Sequence, residues 1–326
     1  MKISIIGAGS WGTALAFVVS KNYNLTWWVR REKLANQILS KKRNTKYLAG
    51  CKLNTSKINI TTDFRSAIIN SELIIVAIPS NYIEPVFNGY GNLLQGKTIL
   101  STTKGVIPNL LIPPKKFFNS ISNNIQYGVI SGPCHAEEIA QKKISYLTIS
   151  TDTPVINKVY NKIFKTPFIN VKTSSDVLGS EYASILKNIY AIMVGISSGL
   201  GYGDNFLAVL ITACTNEMKR LLFYLDPKER VISKSAYLGD LLVTCYSLHS
   251  RNRKLGTAIG KGFSVENAIS DLTMVAEGYS ATASIYKIIK KLKIQKEAPI
   301  VYNAYKVLYL DKDPKKIIKA LTSLIS

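Results

Sequence analysis

The chain has 326 residues, with 42 lysines and arginines against 20 aspartates and glutamates, which gives a formal net charge of +22. A hydrophobic fraction of 47% and a charged fraction of 19% are typical of globular proteins and exclude a disordered, collagen-like or coiled-coil chain. No uncharged apolar run approaches the roughly 18 residues of a membrane span, and the apolar start is broken at Gly7, too early for a signal peptide. We therefore expect a cytoplasmic protein of two domains, since one domain takes roughly 100–200 residues.

The excess positive charge has two interpretations: a polyanion-binding protein, or an enzyme for small phosphorylated substrates with a lysine-rich surface. The basic residues are spread along the chain, and no helix-turn-helix, zinc module or aromatic-basic RNA motif occurs. We expect no nucleic-acid partner, and a non-enzymatic nucleotide or nucleic-acid-binding protein is kept as a remote alternative. The four cysteines are scattered, so neither a disulfide framework nor a metal site is expected.

In the first half, short β-rich runs alternate with helical stretches, which predicts a mostly parallel sheet covered by helices. Residues 1–175 are therefore predicted to form an α/β, Rossmann-like dinucleotide-binding domain. The predicted strands are Lys2–Ile6, Leu25–Val29, Ile58–Thr61, Leu73–Ile78, Thr98–Thr102, Tyr127–Ile130 and Tyr146–Ser150, and the helices include Trp11–Lys21, Glu32–Lys41 and Ala136–Lys142.

From about Asp176 the pattern becomes helical, with no convincing strand after about Val171. Ser180–Ser197 is predicted as a long amphipathic helix because apolar residues recur every three or four positions. Residues 176–326 are expected to form an all-helical substrate domain, with the active site in the cleft between the two domains. Further helices are predicted at Asn205–Leu225, Pro227–Ser233, Ser264–Asp271, Ala281–Lys291, Pro299–Tyr309 and Pro314–Leu324.

The segment Gly7-Ala8-Gly9-Ser10-Trp11-Gly12 fits the pattern GxGxxG, follows a predicted strand and opens a predicted helix. Its glycines allow a tight turn and the close approach of a pyrophosphate to the helix N-terminus, which predicts dinucleotide binding. The alternative is a glycine-rich turn without a ligand.

Where an NAD site usually has an acidic residue for the ribose 2′-hydroxyl, the second strand is followed by Arg30-Arg31. Two guanidiniums suit a 2′-phosphate, which favours NADP or NADPH while NAD or NADH is allowed. The alternative is an exposed basic start of a helix.

Lys187 lies on a helical face of mostly small residues, which would let a ligand approach its amine. The alternative is a surface lysine. Asp240 would orient the amine, and Ser250-Arg251-Asn252-Arg253 would hold an anion. Taken alone, an aspartate such as Asp240 is more often a helix cap, and an arginine such as Arg251 is more often a solvated surface charge.

Seven short motifs follow one another along the chain: Gly7–Gly12, Thr103-Lys104-Gly105, Ser131-Gly132-Pro133, Leu186-Lys187-Asn188, Leu238-Gly239-Asp240, Ser250-Arg251-Asn252-Arg253 and Glu277-Gly278-Tyr279. In this order they resemble the soluble bacterial NAD(P)-dependent glycerol-3-phosphate dehydrogenases. The resemblance implies reversible oxidation of sn-glycerol 3-phosphate to dihydroxyacetone phosphate, chiefly run toward glycerol 3-phosphate for phospholipid synthesis. It also implies a helical domain like that of 6-phosphogluconate dehydrogenase.

The resemblance further implies which residues act. Lys187 is the implied proton donor and acceptor. Cys134 stands where the family usually has Ser or Thr, and a thiol is a weaker hydrogen-bond donor than a hydroxyl. The implied substrate-binding residues are Lys104, Gly132, Cys134, Lys187, Asp240, Ser250, Arg251 and Asn252. The implied cofactor-binding residues are Gly7, Gly9, Ser10, Trp11, Gly12, Arg30, Arg31, Lys104, Ala136, Arg251, Val275 and Glu277.

One alternative activity is another Rossmann dehydrogenase that uses a lysine on a helix, of the β-hydroxyacid or 6-phosphogluconate type. The segments Thr103–Gly105 and Ser250–Asn252 favour glycerol 3-phosphate over these substrates. The sequence does not decide the oligomeric state, and a homodimer is allowed.

Overall fold

The computed structural model describes residues 1–153, 157–272 and 276–325. Its contacts divide the chain into two compact units, here called the sheet unit (Met1–Thr103 and Ile112–Ser180) and the helical unit (Lys104–Leu111 and Glu181–Ser326). The last change of unit follows Ser180, whereas the sequence placed the boundary after residue 175. The expected substrate residue Lys104 belongs to a short segment that groups with the helical unit.

The sheet unit contains eight strands: β1 Ile3–Ile6, β2 Leu25–Trp28, β3 Ile58–Thr61, β4 Leu73–Val76, β5 Thr98–Ser101, β6 Gln126–Ser131, β7 Ser145–Thr151 and β8 Ile169–Ser174. Their order is β3-β2-β1-β4-β5-β6-β7-β8, and every neighbouring pair is parallel except the antiparallel pair β6 and β7. The first six strands follow the Rossmann order, so the predicted fold class is confirmed. The order in which the strands are laid down reverses between β1 and β4, and ligands bind at this point in such sheets.

The strand interiors explain why most strands were predictable. β1 and β4 are apolar and buried along their whole length, as expected for strands covered on both faces. The eighth strand was not predicted. It lies at the edge of the sheet, and its exposed Asn170, Lys172 and Thr173 interrupt the apolar run that would have indicated a strand.

In the sheet unit, helices lie in the connections between successive strands. In the described part of the helical unit, all of the regular secondary structure is helix. Among the described residues, no helix has both the length and the apolar character needed to cross a membrane. The helices are α1 Ser10–Asn22, α2 Glu32–Lys41, α3 Phe64–Ile69, α4 Ile83–Phe87, α5 Gly91–Leu94, α6 Pro114–Ile121, α7 Ala136–Ala140, α8 Asn157–Phe164, α9 Val177–Gly199, α10 Asp204–Leu225, α11 Asp240–Tyr246, α12 Arg251–Gly260, α13 Val265–Ser270, α14 Glu277–Lys291, α15 Pro299–Tyr309 and α16 Pro314–Thr322.

The helix predicted at Pro227–Ser233 is wrong, because these residues form an irregular connection. The guanidinium of Arg230 donates to the carbonyls of Leu222 and Asp226 and pairs with the Asp226 carboxylate. Arg230 therefore binds the C-terminal end of α10, and Asp226 pairs with it instead of capping a new helix.

Helices α9 and α12 touch through their backbones. A Cβ on Gly256 of α12 would lie 2.0 Å from the carbonyl oxygen of Ile192, and one on Gly195 of α9 would lie 2.2 Å from that of Arg253. No side chain fits at either position. This contact fixes the helix that carries Lys187 against the helix that begins with the expected anion-binding segment.

Glu217 on α10 joins a second set of helices. Its fully buried carboxylate accepts hydrogen bonds from the N–H groups of Ile300 at 2.6 Å and Val301 at 3.0 Å, in the first turn of α15. Two donors without partners inside their own helix are thereby satisfied. Burial raises the pKa of Glu217 to about 7, although these two bonds and the charge of Arg220 lower it.

We predict that Glu217 makes stability depend on pH. Its folded-state pKa of about 7 exceeds the ordinary 4.5, so its contribution is complete below pH 4.5 and is lost as the pH rises through 7. The free energy of unfolding of the wild type, relative to Glu217→Gln, should fall by about 3 kcal/mol across that window. Urea unfolding at several pH values measures this, with the exposed Glu229→Gln as the control. A difference between wild type and Glu217→Gln that is constant with pH contradicts the prediction.

Candidate functional site

The glycine-rich segment joins the carboxyl end of β1 to the start of α1. Gly7 has a φ of +113°, and a Cβ on Gly12 would lie 2.2 Å from the Gly7 carbonyl oxygen, so the turn and the helix touch directly. A Cβ on Gly9 would meet nothing within 4 Å, so the loop has open space beside the first N–H groups of α1. An open backbone cradle at a helix N-terminus fits the pyrophosphate of a dinucleotide. Ser10 and Trp11, also expected to contact the cofactor, are the first two residues of that helix.

Arg30 and Arg31 follow β2, the parallel neighbour of β1, and therefore lie at the same edge of the sheet as the glycine-rich segment. Both are exposed. The guanidinium carbon of Arg30 lies 5.2 Å from the centre of the Tyr82 ring, a cation–π contact that holds its position. Arg31 precedes the first residue of α2.

The segment Gly132–Ala136 connects β6 to α7 at this same carboxyl edge. Gly132 has a φ of +107°, and a Cβ there would lie 2.7 Å from the carbonyl oxygen of Tyr146. The thiol of Cys134 donates to the Gly132 carbonyl at 3.1 Å. The thiol thus bonds within its own loop, and Ala136 is buried at the first position of α7.

Lys187 and Asp240 form a buried ion pair within the helical unit. The residues are 4% and 2% exposed, and the Lys187 ammonium donates to the Asp240 carboxylate. Helix α9 is buried along most of its length, so the ammonium is shielded from water. A buried ammonium requires a hydrogen-bonded counter-charge, and Asp240 supplies it.

An irregular turn presents Asp240 to the lysine. Ser235–Gly239 forms a π-helical turn that leads directly into α11, of which Asp240 is the first residue. Such turns are frequent at functional sites. No residue pattern in the sequence predicted this turn.

Cys245 is a neighbour that sequence reasoning missed. The residue is fully buried on α11, and burial raises the pKa of its thiol to about 12, although the positive charges of Lys187 and Arg253 lower it. The thiol therefore stays neutral and does not compete with Asp240 as the counter-charge of Lys187.

The start of α12 forms the third part of the helical site. Ser250 caps this helix by accepting from the N–H of Arg253 at 3.3 Å, and Arg251 is half-buried at its first position. The Asn252 side-chain oxygen accepts from the N–H of Gly278 at 2.9 Å, which ties α12 to the start of α14. A helix N-terminus with an adjacent guanidinium favours an anion.

Gly278 also has no room for a side chain, because its Cβ would lie 2.6 Å from the carbonyl oxygen of Asn188. The structure therefore brings together the lysine helix, the start of α12 and the start of α14. Glu277 is half-buried at the first position of α14, and its Oε2 is buried without a hydrogen-bond partner among the described residues. An orphaned buried oxygen is expected where a ligand completes the bonding.

Two more of the expected cofactor-binding residues are Val275 and Lys104. Val275 lies outside the described residues. Lys104 is half-buried, and the preceding residue Thr103 donates its hydroxyl to the carbonyl of Ile78 at 3.0 Å. Among the described residues, no cluster of three or more metal-ligating side chains occurs.

Comparisons with known proteins agree across both halves of the chain. Family models for the N-terminus and the C-terminus of NAD-dependent glycerol-3-phosphate dehydrogenase match residues 2–156 and 176–319. The glycerol-3-phosphate dehydrogenase [NAD(P)+] of Bacillus licheniformis is 35% identical over 100% of this chain and 94% of its own length, and that of Halothermothrix orenii is 35% identical over 98% and 94%. The crystal structure of glycerol-3-phosphate dehydrogenase from Coxiella burnetii matches with a TM-score of 0.93 at 28% identity, covering 98% of each chain.

We predict that the stability of the helical unit depends on keeping Lys187 and Asp240 paired. Lys187→Met leaves the Asp240 carboxylate buried without its partner, which should lower the free energy of unfolding by about 3–5 kcal/mol. The double variant Lys187→Met/Asp240→Asn removes both charges and should recover most of this loss. Denaturant unfolding measures the free energy of unfolding of both variants. The control is Lys115→Met, which breaks the more exposed pair with Asp152 and should lower that free energy by about 0–1 kcal/mol. Equal stability of the single and double variants would contradict the prediction.

Proposed function

The chain belongs to the NAD-dependent glycerol-3-phosphate dehydrogenase family, and from this membership we propose that it is an NAD(P)-dependent oxidoreductase interconverting sn-glycerol 3-phosphate and dihydroxyacetone phosphate. The structural observation that carries the proposal is the buried Lys187–Asp240 pair, a proton-transfer group with its orienting carboxylate. The family models and curated relatives described above do not favour the β-hydroxyacid or 6-phosphogluconate alternative.

The sheet unit is assigned the dinucleotide. Gly7–Gly12 would receive the pyrophosphate, and Arg30 or Arg31 the 2′-phosphate of NADPH, with NADH accepted as well. The bound reduced nicotinamide supplies the hydride for the ketone carbon. Further cofactor contacts are assigned to Lys104, Ala136, Arg251, Val275 and Glu277.

Lys187 is assigned the proton. In the direction of reduction, its Nζ donates a proton to the ketone oxygen as that oxygen gains negative charge. In the direction of oxidation, the neutral amine accepts the proton from the alcohol. The Asp240 carboxylate accepts a hydrogen bond from Nζ and so orients the amine. This pairing also offsets the charge of the ammonium in its buried position.

The substrate phosphate is assigned to the start of α12. Arg251 offers two parallel donors, and the helix N-terminus adds its own field. The side-chain oxygen of Asn252 accepts from the N–H of Gly278, and its amide nitrogen is assigned as a donor to the phosphate. Ser250 and Lys104 complete the donor set, and the loop Gly132–Cys134 is assigned a substrate contact.

We further propose that the protein works in the cytoplasm and supplies glycerol 3-phosphate for phospholipid synthesis. The proposal follows from the chemistry of the pair of substrates, because glycerol 3-phosphate is the backbone to which acyl chains are added. It does not require a nucleic-acid partner.

The activity is tested by following nicotinamide absorbance with dihydroxyacetone phosphate, once with NADPH and once with NADH. Hydroxyisobutyrate and 6-phosphogluconate are assayed in parallel with the oxidised cofactors. Turnover of dihydroxyacetone phosphate alone is expected. Turnover of either other substrate at a comparable kcat/KM would overturn the proposal.

Loss of the proton donor should lower kcat while leaving cofactor binding intact. We expect Lys187→Met/Asp240→Asn to reduce kcat by about 10²–10⁴-fold, the range for a general acid–base group. The dissociation constant of NADPH should stay near that of the wild type. The exposed Lys254→Met on α12 is the control and should keep its kcat. Near-normal turnover of the double variant would remove Lys187 from the mechanism.

Charge at the end of β2 should decide the preference between cofactors. The variant Arg30→Ala/Arg31→Ala should bind NADPH about 10–100-fold more weakly, as expected when one or two charged hydrogen bonds are lost, and NADH nearly as well as the wild type. Each single variant then shows which arginine is responsible, and Lys33→Ala is the basic control on α2. Equal losses for both nucleotides would exclude a 2′-phosphate contact.

A further inference from the structure

Two side chains hold the outer carbonyls of the glycine-rich loop. The indole nitrogen of Trp27 donates to the carbonyl of Gly7 at 2.9 Å, and the hydroxyl of Thr13 donates to that of Gly9 at 2.8 Å. Trp27 and Thr13 are both fully buried. These two carbonyl oxygens are therefore bonded to the protein's own donors.

The carbonyl between them belongs to Ala8 and is bonded by a residue far along the chain. The amide nitrogen of Asn44 donates to the Ala8 carbonyl at 2.9 Å and to the hydroxyl of Thr13 at 2.8 Å. The Thr13 hydroxyl in turn donates a hydrogen bond to the Gly9 carbonyl. Asn44 therefore bonds one loop carbonyl directly and supports a second one through Thr13. Asn44 is fully buried.

A compact turn fixes Asn44 in this position. Its side-chain oxygen accepts from the N–H of Tyr47 at 3.3 Å, and its carbonyl accepts from the N–H of Leu48 at 2.9 Å. The hydroxyl of Ser10 donates to the carbonyl of Tyr47 at 2.9 Å, so the turn contacts the loop at a second point. With a donor at the oxygen and acceptors at the nitrogen, the orientation of the amide is determined.

We propose that Asn44 is a positioning residue of the nucleotide site, which keeps the loop carbonyls turned away from a bound anion. A glycine-rich backbone readily rotates its peptide groups, and a carbonyl oxygen turned toward a pyrophosphate would repel it. Apparent affinity is the intrinsic affinity multiplied by the fraction of molecules whose loop is competent. This role rests on the proposed dinucleotide function and adds a residue outside the glycine-rich segment to it.

The test compares the same substitution at Asn44, which bonds the loop before α1, and at the last residue of α1. Asn44→Asp removes both donated bonds and places a carboxylate against the Ala8 carbonyl. The control is Asn22→Asp at the last residue of α1, where the amide nitrogen donates to the carbonyls of Ile163 at 3.1 Å and Lys165 at 3.0 Å. Titration calorimetry gives the dissociation constant of NADPH for each full-length variant without substrate.

We expect Asn44→Asp to raise the dissociation constant at least about tenfold, while Asn22→Asp leaves it unchanged. At saturating NADPH, kcat should stay within a factor of about three of the wild type, because bound cofactor restores the loop. Amide hydrogen exchange of residues 7–13 should be faster in free Asn44→Asp than in the free wild type. A merely structural role would instead lower the fraction of folded protein, measured as a lower binding stoichiometry, and leave the dissociation constant of the folded molecules unchanged.

An unchanged dissociation constant in folded Asn44→Asp would overturn the role of Asn44 while leaving the proposed function intact. If Asn44→Asp does not fold, Asn44→Ala provides the second measurement, since it removes the amide nitrogen that donates to Ala8 and Thr13 without placing a charge there. An unchanged dissociation constant for Asn44→Ala would then overturn the role. A wild type that binds neither NADPH nor NADH would overturn the proposed function together with it.

Discussion

A lysine ammonium inside a helical bundle requires a carboxylate beside it, and much of the helical unit follows from that requirement. Removing either ion from water costs several kcal/mol, which is recovered only by close, hydrogen-bonded pairing. The π-helical turn before α11 brings Asp240 to Lys187, and the neutral thiol of Cys245 adds no competing charge. The amine to which we assign the proton transfer is thereby held in one orientation.

Close backbone contacts also hold the helix of Lys187, α9, against α12 and α14. The glycine contact between α9 and α12 and the contact of Gly278 with Asn188 leave no gap that a side chain could fill. Interiors packed at this density transmit small displacements instead of absorbing them. These glycines, which have no reactive group, therefore fix how closely α9, the helix of the amine, approaches the start of α12.

The sequence predicted what depends on local pattern and missed what depends on backbone partners. Short runs rich in β-forming residues predicted seven of the strands, whereas the exposed polar residues of the edge strand β8 interrupt such a run. The cap-then-proline pattern at Asp226-Pro227 predicted a helix that does not form, because Arg230 takes the Asp226 carboxylate. Asn44 was missed for a different reason: its partner at Ala8 is a carbonyl oxygen, which every residue has and which no pattern of side chains reveals.

The two units position their functional groups by the same physical means. In the sheet unit, the loop carbonyls are bonded by Trp27, Asn44 and Thr13, as the proposed binding of an anion at this loop requires. In the helical unit, Asp240 takes the charge of Lys187. The loop carbonyls, which would repel an anion, have hydrogen-bond donors inside the sheet unit. The Lys187 ammonium, which would be too costly to bury alone, has its counter-charge inside the helical unit. Binding then needs no rearrangement of these polar groups, which is the condition under which fixed dipoles and charges act most strongly.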